Sequence, residues 1–168
     1  MWTDERCEAD VLTDAERHDI ENEIAASWDK RAACISALRA VQARRGWVSD
    51  EAIRDIAAML EMSTDELDAV ATFYNLIYRH PVGKHVVKVC DGAVCWILGS
   101  RNLMQYLEQK LEIESGGTTG DGLVTLLPIC CVGDCDHAPV MMVDDTTIRD
   151  LTPERIDELI ASRFEVGG

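Results

Sequence analysis

Positive charge is scarce in this chain of 168 residues, in which 16 Lys and Arg stand against 31 Asp and Glu for a formal net charge of -15. Such a surface repels phosphate backbones and anionic lipid at long range, so nucleic acid is not expected as a partner. The acids are unevenly spread. Residues 1–29 hold ten acids and two Arg, residues 30–83 hold seven of each sign, and residues 84–168 hold fourteen acids against seven bases. The start has neither a basic leader nor an apolar segment, and no later apolar run approaches the ~20 residues a membrane span needs. The expectation is a globular protein that stays in the compartment where it is made. The glycine-rich stretch from Gly116 to Gly122 lacks both G-x-G-x-x-G and the Lys of a P-loop, so it reads as a surface turn and not as a nucleotide site. There is also no internal repeat, no C-x-x-C, and no acid–base or nucleophilic constellation.

Apolar side chains are plentiful, at 47% of residues, which is enough for a buried core. The first half is patterned for helices. Thr13 caps a helix running to about Trp28, with Asp14 and Glu16 in its first turn, where the positive end of the macrodipole favours acids. A second helix carries Ile35, Leu38 and Val41 and stops at Gly46 after Arg44 and Arg45. Ile53, Ile56, Ala57 and Leu60 repeat at helical spacing, and Ser63-Thr64-Asp65-Glu66 forms a capping box before Leu67, Val70, Ala71 and Tyr74. These stripes predict a small helical bundle. The acids among residues 4–29 read as a solvated helix face.

His80-Pro81-Val82-Gly83 breaks the pattern, which divides the chain into a helical domain, residues 1–82, and a second domain, residues 83–168. Strands are predicted at His85–Cys90, Leu123–Cys130 and Pro139–Val143. Helices are predicted after Ser100, as N-cap, and after Thr152, with Pro153 at the first helical position. A short extra strand near Thr118 and Thr119 would complete a four-stranded mixed sheet. The whole reads as an α+β chain: a helical bundle followed by a small α/β sandwich of the thioredoxin type.

Seven cysteines in a chain without a secretory signal point to metal or redox chemistry rather than to disulfides. Four of them lie in two short segments that follow predicted strands, Cys90 and Cys95 at C-x4-C spacing and Cys131 and Cys135 at C-x3-C. The C-terminal ends of neighbouring strands lie side by side, which allows the four thiolates to converge. A two-iron cluster needs two thiolates on each iron, and one pair per loop suits it. Structural zinc is the competing use of four cysteines, with the C-x3-C spacing against it. A thioredoxin-like thiol pair is weaker again.

Arg45-Gly46-Trp47-Val48, Val70-Ala71-Thr72-Phe73-Tyr74, the two cysteine loops, Gly117-Thr118-Thr119-Gly120-Asp121-Gly122 and Gly133-Asp134-Cys135-Asp136-His137-Ala138-Pro139 occur in that order. From about Thr13 to Leu159 the sequence resembles the thioredoxin-like [2Fe-2S] subunits of NADH-quinone oxidoreductase, respiratory complex I. The resemblance implies one [2Fe-2S] cluster on Cys90, Cys95, Cys131 and Cys135. It implies single-electron exchange with a neighbouring flavoprotein subunit that binds FMN and NADH, in a peripheral arm on the cytoplasmic side of the membrane. NAD-linked formate dehydrogenases and NAD-reducing hydrogenases are the alternative settings for such a subunit, and a zinc-stabilised interaction module is the alternative of another class.

Several residues take plainer roles. Cys130 reads as a buried structural thiol, facing away from Cys131. Cys7 and Cys34 have no partner at ligand spacing and read as free. His137 is too solitary for a Rieske site, which takes two His, and His80 and His85 read as solvated. Trp28, Trp47 and Trp96 suit either buried anchoring or contacts. Trp47, Phe73, Tyr74 and Tyr78, in a charge-balanced stretch, suit a partly apolar interface through which the helical half grips the partner.

Overall fold

The computed structural model describes residues 11–164. Readings that concern residues 1–10, such as those of Cys7 and of the acids between Asp4 and Asp10, lie outside the described residues. Backbone proximity divides the chain into two compact units, Met1–Pro81 and Val82–Gly168.

The described part of the first unit is helical: α1 (Asp14–Ala26), a 3-10 turn (Lys30–Ala33), α2 (Cys34–Arg45), α3 (Asp50–Met59) and α4 (Thr64–Phe73). Side-chain caps fix three of the starts. At Thr13 and again at Ser63 the hydroxyl accepts the amide of the Glu three residues on, and that Glu carboxylate accepts the cap's own amide. Ser49 accepts the Ala52 amide and opens α3. The helices bury Ile20, Leu38, Val41, Ile53, Ile56, Leu60 and Leu67 in one cluster. Full burial of one such side chain contributes about 1.5–3 kcal/mol, which is what holds short helices of weak intrinsic stability.

One open reading is decided in this unit and one expectation fails. α1 ends at Ala26, and Trp28 beyond it is 91% exposed, so this indole anchors nothing in the bundle. Glu16 is not on a solvated face. It is 2% exposed and its carboxylate takes two hydrogen bonds from Arg45, at 2.5 and 2.6 Å, because α2 lays the guanidinium across the first turn of α1.

The second unit holds a four-stranded mixed sheet in the order β2-β1-β3-β4: β1 (His85–Cys90), β2 (Val124–Ile129), β3 (Met141–Val143) and β4 (Thr146–Ile148). β1 and β2 are parallel, joined by α5 (Ala93–Ile97) and α6 (Ser100–Leu111), while β3 pairs antiparallel with β1 and with β4. α7 (Pro153–Arg163) closes the unit, capped by Thr152 with Pro153 in its first turn as expected. Val87, Val89, Leu107, Leu126, Met141 and Ile156 fill the core.

The sheet has four strands, and the fourth is not where it was expected. Thr118 makes a single antiparallel bridge to Thr125, on the open edge of β2, and the segment goes no further. The fourth strand is β4, reached by a two-residue turn whose Asp144 takes a left-handed φ of 54°. Asp144 is further held by its carboxylate, which accepts the Val86 amide at 2.9 Å and faces His85 Nδ1 at 2.8 Å. His85 is therefore half-buried, with Phe164 against its ring, and not a solvated strand end. Ser100 is the first helical residue of α6, with Gly99 as its cap.

Candidate metal centre

Parallel pairing places the first and second cysteine segments together. β1 and β2 run in step from His85 opposite Val124 to Cys90 opposite Ile129, so both strands finish at the same end of the sheet. The Asp91 amide donates to the Ile129 carbonyl at 2.9 Å, and the Cys90 amide donates to the Val140 carbonyl at 3.1 Å, which fixes Cys90 between its neighbours. After Asp91 the chain turns at Gly92 into α5, a helical turn that buries Cys95; that segment was expected to be a plain loop. After β2 come Cys130 and Cys131, a turn at Gly133 with φ +86°, and a 3-10 turn beginning at Cys135.

The approach is tight at Gly92. A Cβ on that residue would sit 3.0 Å from Cys131 Cβ and 3.5 Å from Cys90 Sγ. Cys131 Sγ and Cys135 Sγ are 3.3 Å apart. Three of the thiols are shifted by their surroundings. Burial, above all, pushes the Cys95 thiol up to about 11, with Cys90 and Cys135 adding to the rise. Cys131 is lowered, first by the Gly133 amide and then by the Cys135 and Cys90 thiols, while its neighbour Cys135 is raised. All four expected ligands are thus brought together, two of them buried and two exposed.

The donor set fits a two-iron cluster: each cysteine segment brings one pair of thiols to the common end of β1 and β2, and such a cluster takes two thiolates on each iron. The close approach at Gly92 predicts that Gly92→Val, which adds a branched side chain against Cys131, destabilises the unit by about 1–3 kcal/mol and lowers the iron and sulfide held per chain. Full iron content at unchanged stability would contradict that reading.

Cys130 departs from expectation. It is exposed, not buried, because β2 is an edge strand whose ladder ends at Ile129, and Cys130 has already passed the last pairing. Cys34 is half-buried in α2, in the other unit. His137 lies beside carboxylates, with Nε2 3.6 Å from Asp136 and Nδ1 3.5 Å from Asp150. Two features escaped the sequence reading. One is the row of exposed apolar side chains Val94, Trp96, Ile97 and Leu98 around Cys95, which the continuous apolar run after Gly92 signals once α5 is known to be a surface helix. The other is Arg149, which reaches Asp134 from fifteen positions away and leaves no local pattern.

The family model for thioredoxin-like [2Fe-2S] ferredoxins matches residues 20–163. The chain is 50% identical over 153 residues to the E-type subunit of NADH-quinone oxidoreductase from Escherichia coli (strain K12), covering 91% of this chain and 92% of that one. It is 45% identical over 150 residues to the corresponding protein from Pseudomonas aeruginosa, with 89% and 90% covered. Among solved structures, NAD+-reducing [NiFe]-hydrogenase in the air-oxidised state is similar in fold, with a TM-score of 0.62 at 22% identity. The likeness covers 82% of this chain, which spans only 23% of the longer hydrogenase chain.

Proposed function

Because the chain belongs to the thioredoxin-like [2Fe-2S] ferredoxin family and is an iron–sulfur electron-transfer subunit of the NADH-quinone oxidoreductase type, we propose that it holds one [2Fe-2S] cluster on Cys90, Cys95, Cys131 and Cys135 and exchanges single electrons with the FMN of an NADH-binding flavoprotein subunit. The observation that carries the ligand assignment is the convergence of two cysteine pairs at the common end of two parallel strands. When bound, such a cluster accepts and returns one electron. The protein's part is to supply four thiolates, to shield Cys90 and Cys95 from water, and to present the exposed side of the site to a partner.

Residues 83–168 hold the cluster in this reading and residues 1–82 help to grip the partner. Support for docking comes from apolar side chains that a monomer has no reason to expose. Phe73 at the end of α4 is 80% exposed, with Tyr74 and Leu76 beside it, and α5 exposes Trp96 and Ile97 next to the buried Cys95. Phe73 and Tyr74 therefore do not fill the bundle core. Among the described residues no helix is long and apolar enough to cross a membrane. We place the protein in a peripheral arm on the cytoplasmic side, in a respiratory complex rather than in a formate dehydrogenase or hydrogenase, on the strength of its identity to the NADH-quinone oxidoreductase relatives.

Anaerobic purification of the full chain decides the cofactor. About two irons and two acid-labile sulfides per chain, with visible absorption, are expected; zinc without sulfide would make the chain a zinc-stabilised interaction module instead. For the docking surface, Trp96→Ala and Phe73→Ala in the full chain are each expected to weaken binding to the flavoprotein subunit by about 2 kcal/mol, roughly 30-fold in Kd, the scale of a buried aromatic anchor. Unchanged affinity in both would remove these faces from the interface.

A further inference from the structure

The second cysteine loop is crowded with acids. Asp134 stands immediately before Cys135 and Asp136 immediately after it, and Asp150 lies near His137. Two ferric ions with two sulfides and four thiolates would make an anionic centre, and reduction would add one more negative charge. A carboxylate beside that centre opposes the electron, the more so the less water surrounds it. Asp134 is the critical one, since its side chain is only 17% exposed.

The structure meets this charge with a cation from a distant segment. Arg149 Nε donates to Asp134 Oδ2 at 2.5 Å. The strap that carries Arg149 is itself tied to the loop: the Asp150 amide donates to the His137 carbonyl and the Leu151 amide to the Pro139 carbonyl, both at 2.9 Å. From α7, Arg155 Nη1 donates to the Arg149 carbonyl at 2.7 Å and holds the strap from behind. Within the loop, the His137 amide donates to the Asp134 carbonyl at 3.2 Å, so the backbone of Asp134 is fixed by the turn and its side chain by Arg149. A more than half-exposed guanidinium engaged in this way is a structural tether and a fixed counter-charge at the same time.

Resting on the cluster assignment above, we propose that Arg149 is a positioning residue for electron transfer: by holding Asp134 it fixes the Cys131–Cys135 loop and offsets the carboxylate beside the cluster, so that the cluster is easier to reduce than the acids of its loop alone would allow. The effect runs through Asp134. The side-chain hydrogen bond described for Arg149 goes to Asp134, so its influence is to be read as a coupling between two side chains.

The experiment is a redox titration of the full, cluster-loaded protein in four forms: wild type, Arg149→Gln, Asp134→Asn and the double variant. Iron and sulfide are first measured in each, so that failure of the wild type to carry a cluster is recognised as failure of the assignment and not of this proposal. Arg149→Gln is expected to lower the ratio of reduced to oxidised cluster at fixed potential by roughly three- to tenfold, where tenfold is about 59 mV for one electron. Asp134→Asn is expected to shift the potential upward, and in that background Arg149→Gln is expected to do little. An unchanged potential in Arg149→Gln, or the same shift with and without Asp134, overturns the proposal. Should Arg149→Gln lose its cluster, recovery in the double variant supports the pairing and continued loss refutes it.

Discussion

Serine at Cys90, Cys95, Cys131 or Cys135 is expected to abolish the cluster or distort its spectrum, the largest single effect any substitution in this chain should produce. A serine hydroxyl is a far poorer ligand for iron than a thiolate, and the two buried positions, Cys90 and Cys95, offer no water to take its place. Loss at these two is expected to be the most complete. At Cys131 and Cys135, which are exposed, a weakened cluster with altered absorption is the expected outcome. Cys130→Ser and Cys34→Ser serve as the contrast, because Cys130 lies beyond the end of β2 and Cys34 belongs to the helical unit; both should keep iron, sulfide and spectrum near those of the unaltered protein. A cluster lost in Cys130→Ser and kept in Cys131→Ser would falsify the ligand set. The vicinal pair makes that the decisive comparison.

The second large effect is expected far from the cluster, at the pair formed by Glu16 and Arg45. The carboxylate is 3% and the guanidinium 17% exposed at the side-chain level. Glu16 also closes the Thr13 capping box. Its pKa is lowered from 4.5 to about 2, first by the hydrogen bonds from Arg45, with burial working in the opposite direction and the bonds to Thr13 adding to the fall. A carboxyl whose pKa is lower in the folded chain than in the unfolded one binds its proton more weakly when folded. The stabilisation is therefore complete above about pH 4.5 and is lost as pH falls through that value toward about 2.

The size follows from the same difference, about 3 kcal/mol, which agrees with the 3–5 kcal/mol typical of breaking one partner of a buried pair. Glu16→Gln keeps the shape and removes the charge. Urea unfolding at neutral pH is expected to show the full-length variant less stable by that amount, and the gap between variant and wild type is expected to close as the buffer approaches pH 2. A gap that persists unchanged at low pH would mean that packing, and not charge, sets the role of Glu16. Arg17–Asp55, between α1 and α3, and Arg44–Asp19, between α2 and α1, are about one-third to one-half exposed, and the loss of either should cost about 1 kcal/mol or less.

Legibility of the chain divides along the range of the forces involved. Helix starts and stops were readable because they depend on neighbours: Thr13, Ser63 and Thr152 each bond an amide three residues on, and Gly46 ends α2 within one turn of Arg44 and Arg45. The apolar stripes likewise declared which faces would be buried, and Leu38, Ile53, Ile56 and Leu67 are all inside. The candidate ligands were legible because chemistry restricts them to cysteine, and because two strands joined by a helical crossover finish at the same end when they pair in parallel, as β1 and β2 do. The motifs that spelled the family were contiguous, so they survived without any knowledge of the fold.

Tertiary structure decided what depends on groups distant in sequence. That Glu16 is buried follows from the placement of α2, since the Thr13 capping box marks Glu16 as a helix-start residue and leaves its burial undecided. Strand alternation predicts a buried Cys130, yet alternation says nothing about where a ladder stops, and at an edge strand there is no second neighbour to cover the next residue. The β-branched residues at Thr118 and Thr119 suit a fourth strand as well as those at Thr146–Ile148 do; pairing geometry gave that role to the latter, which a tight turn brings back against β3. The contact from Arg149 to Asp134 spans fifteen residues and carries no periodicity. A sequence determines local bonds and the faces that seek burial, because both act over a few residues of one chain; which charge meets which, and which thiol stays wet, is settled only when segments far apart in the chain are packed side by side.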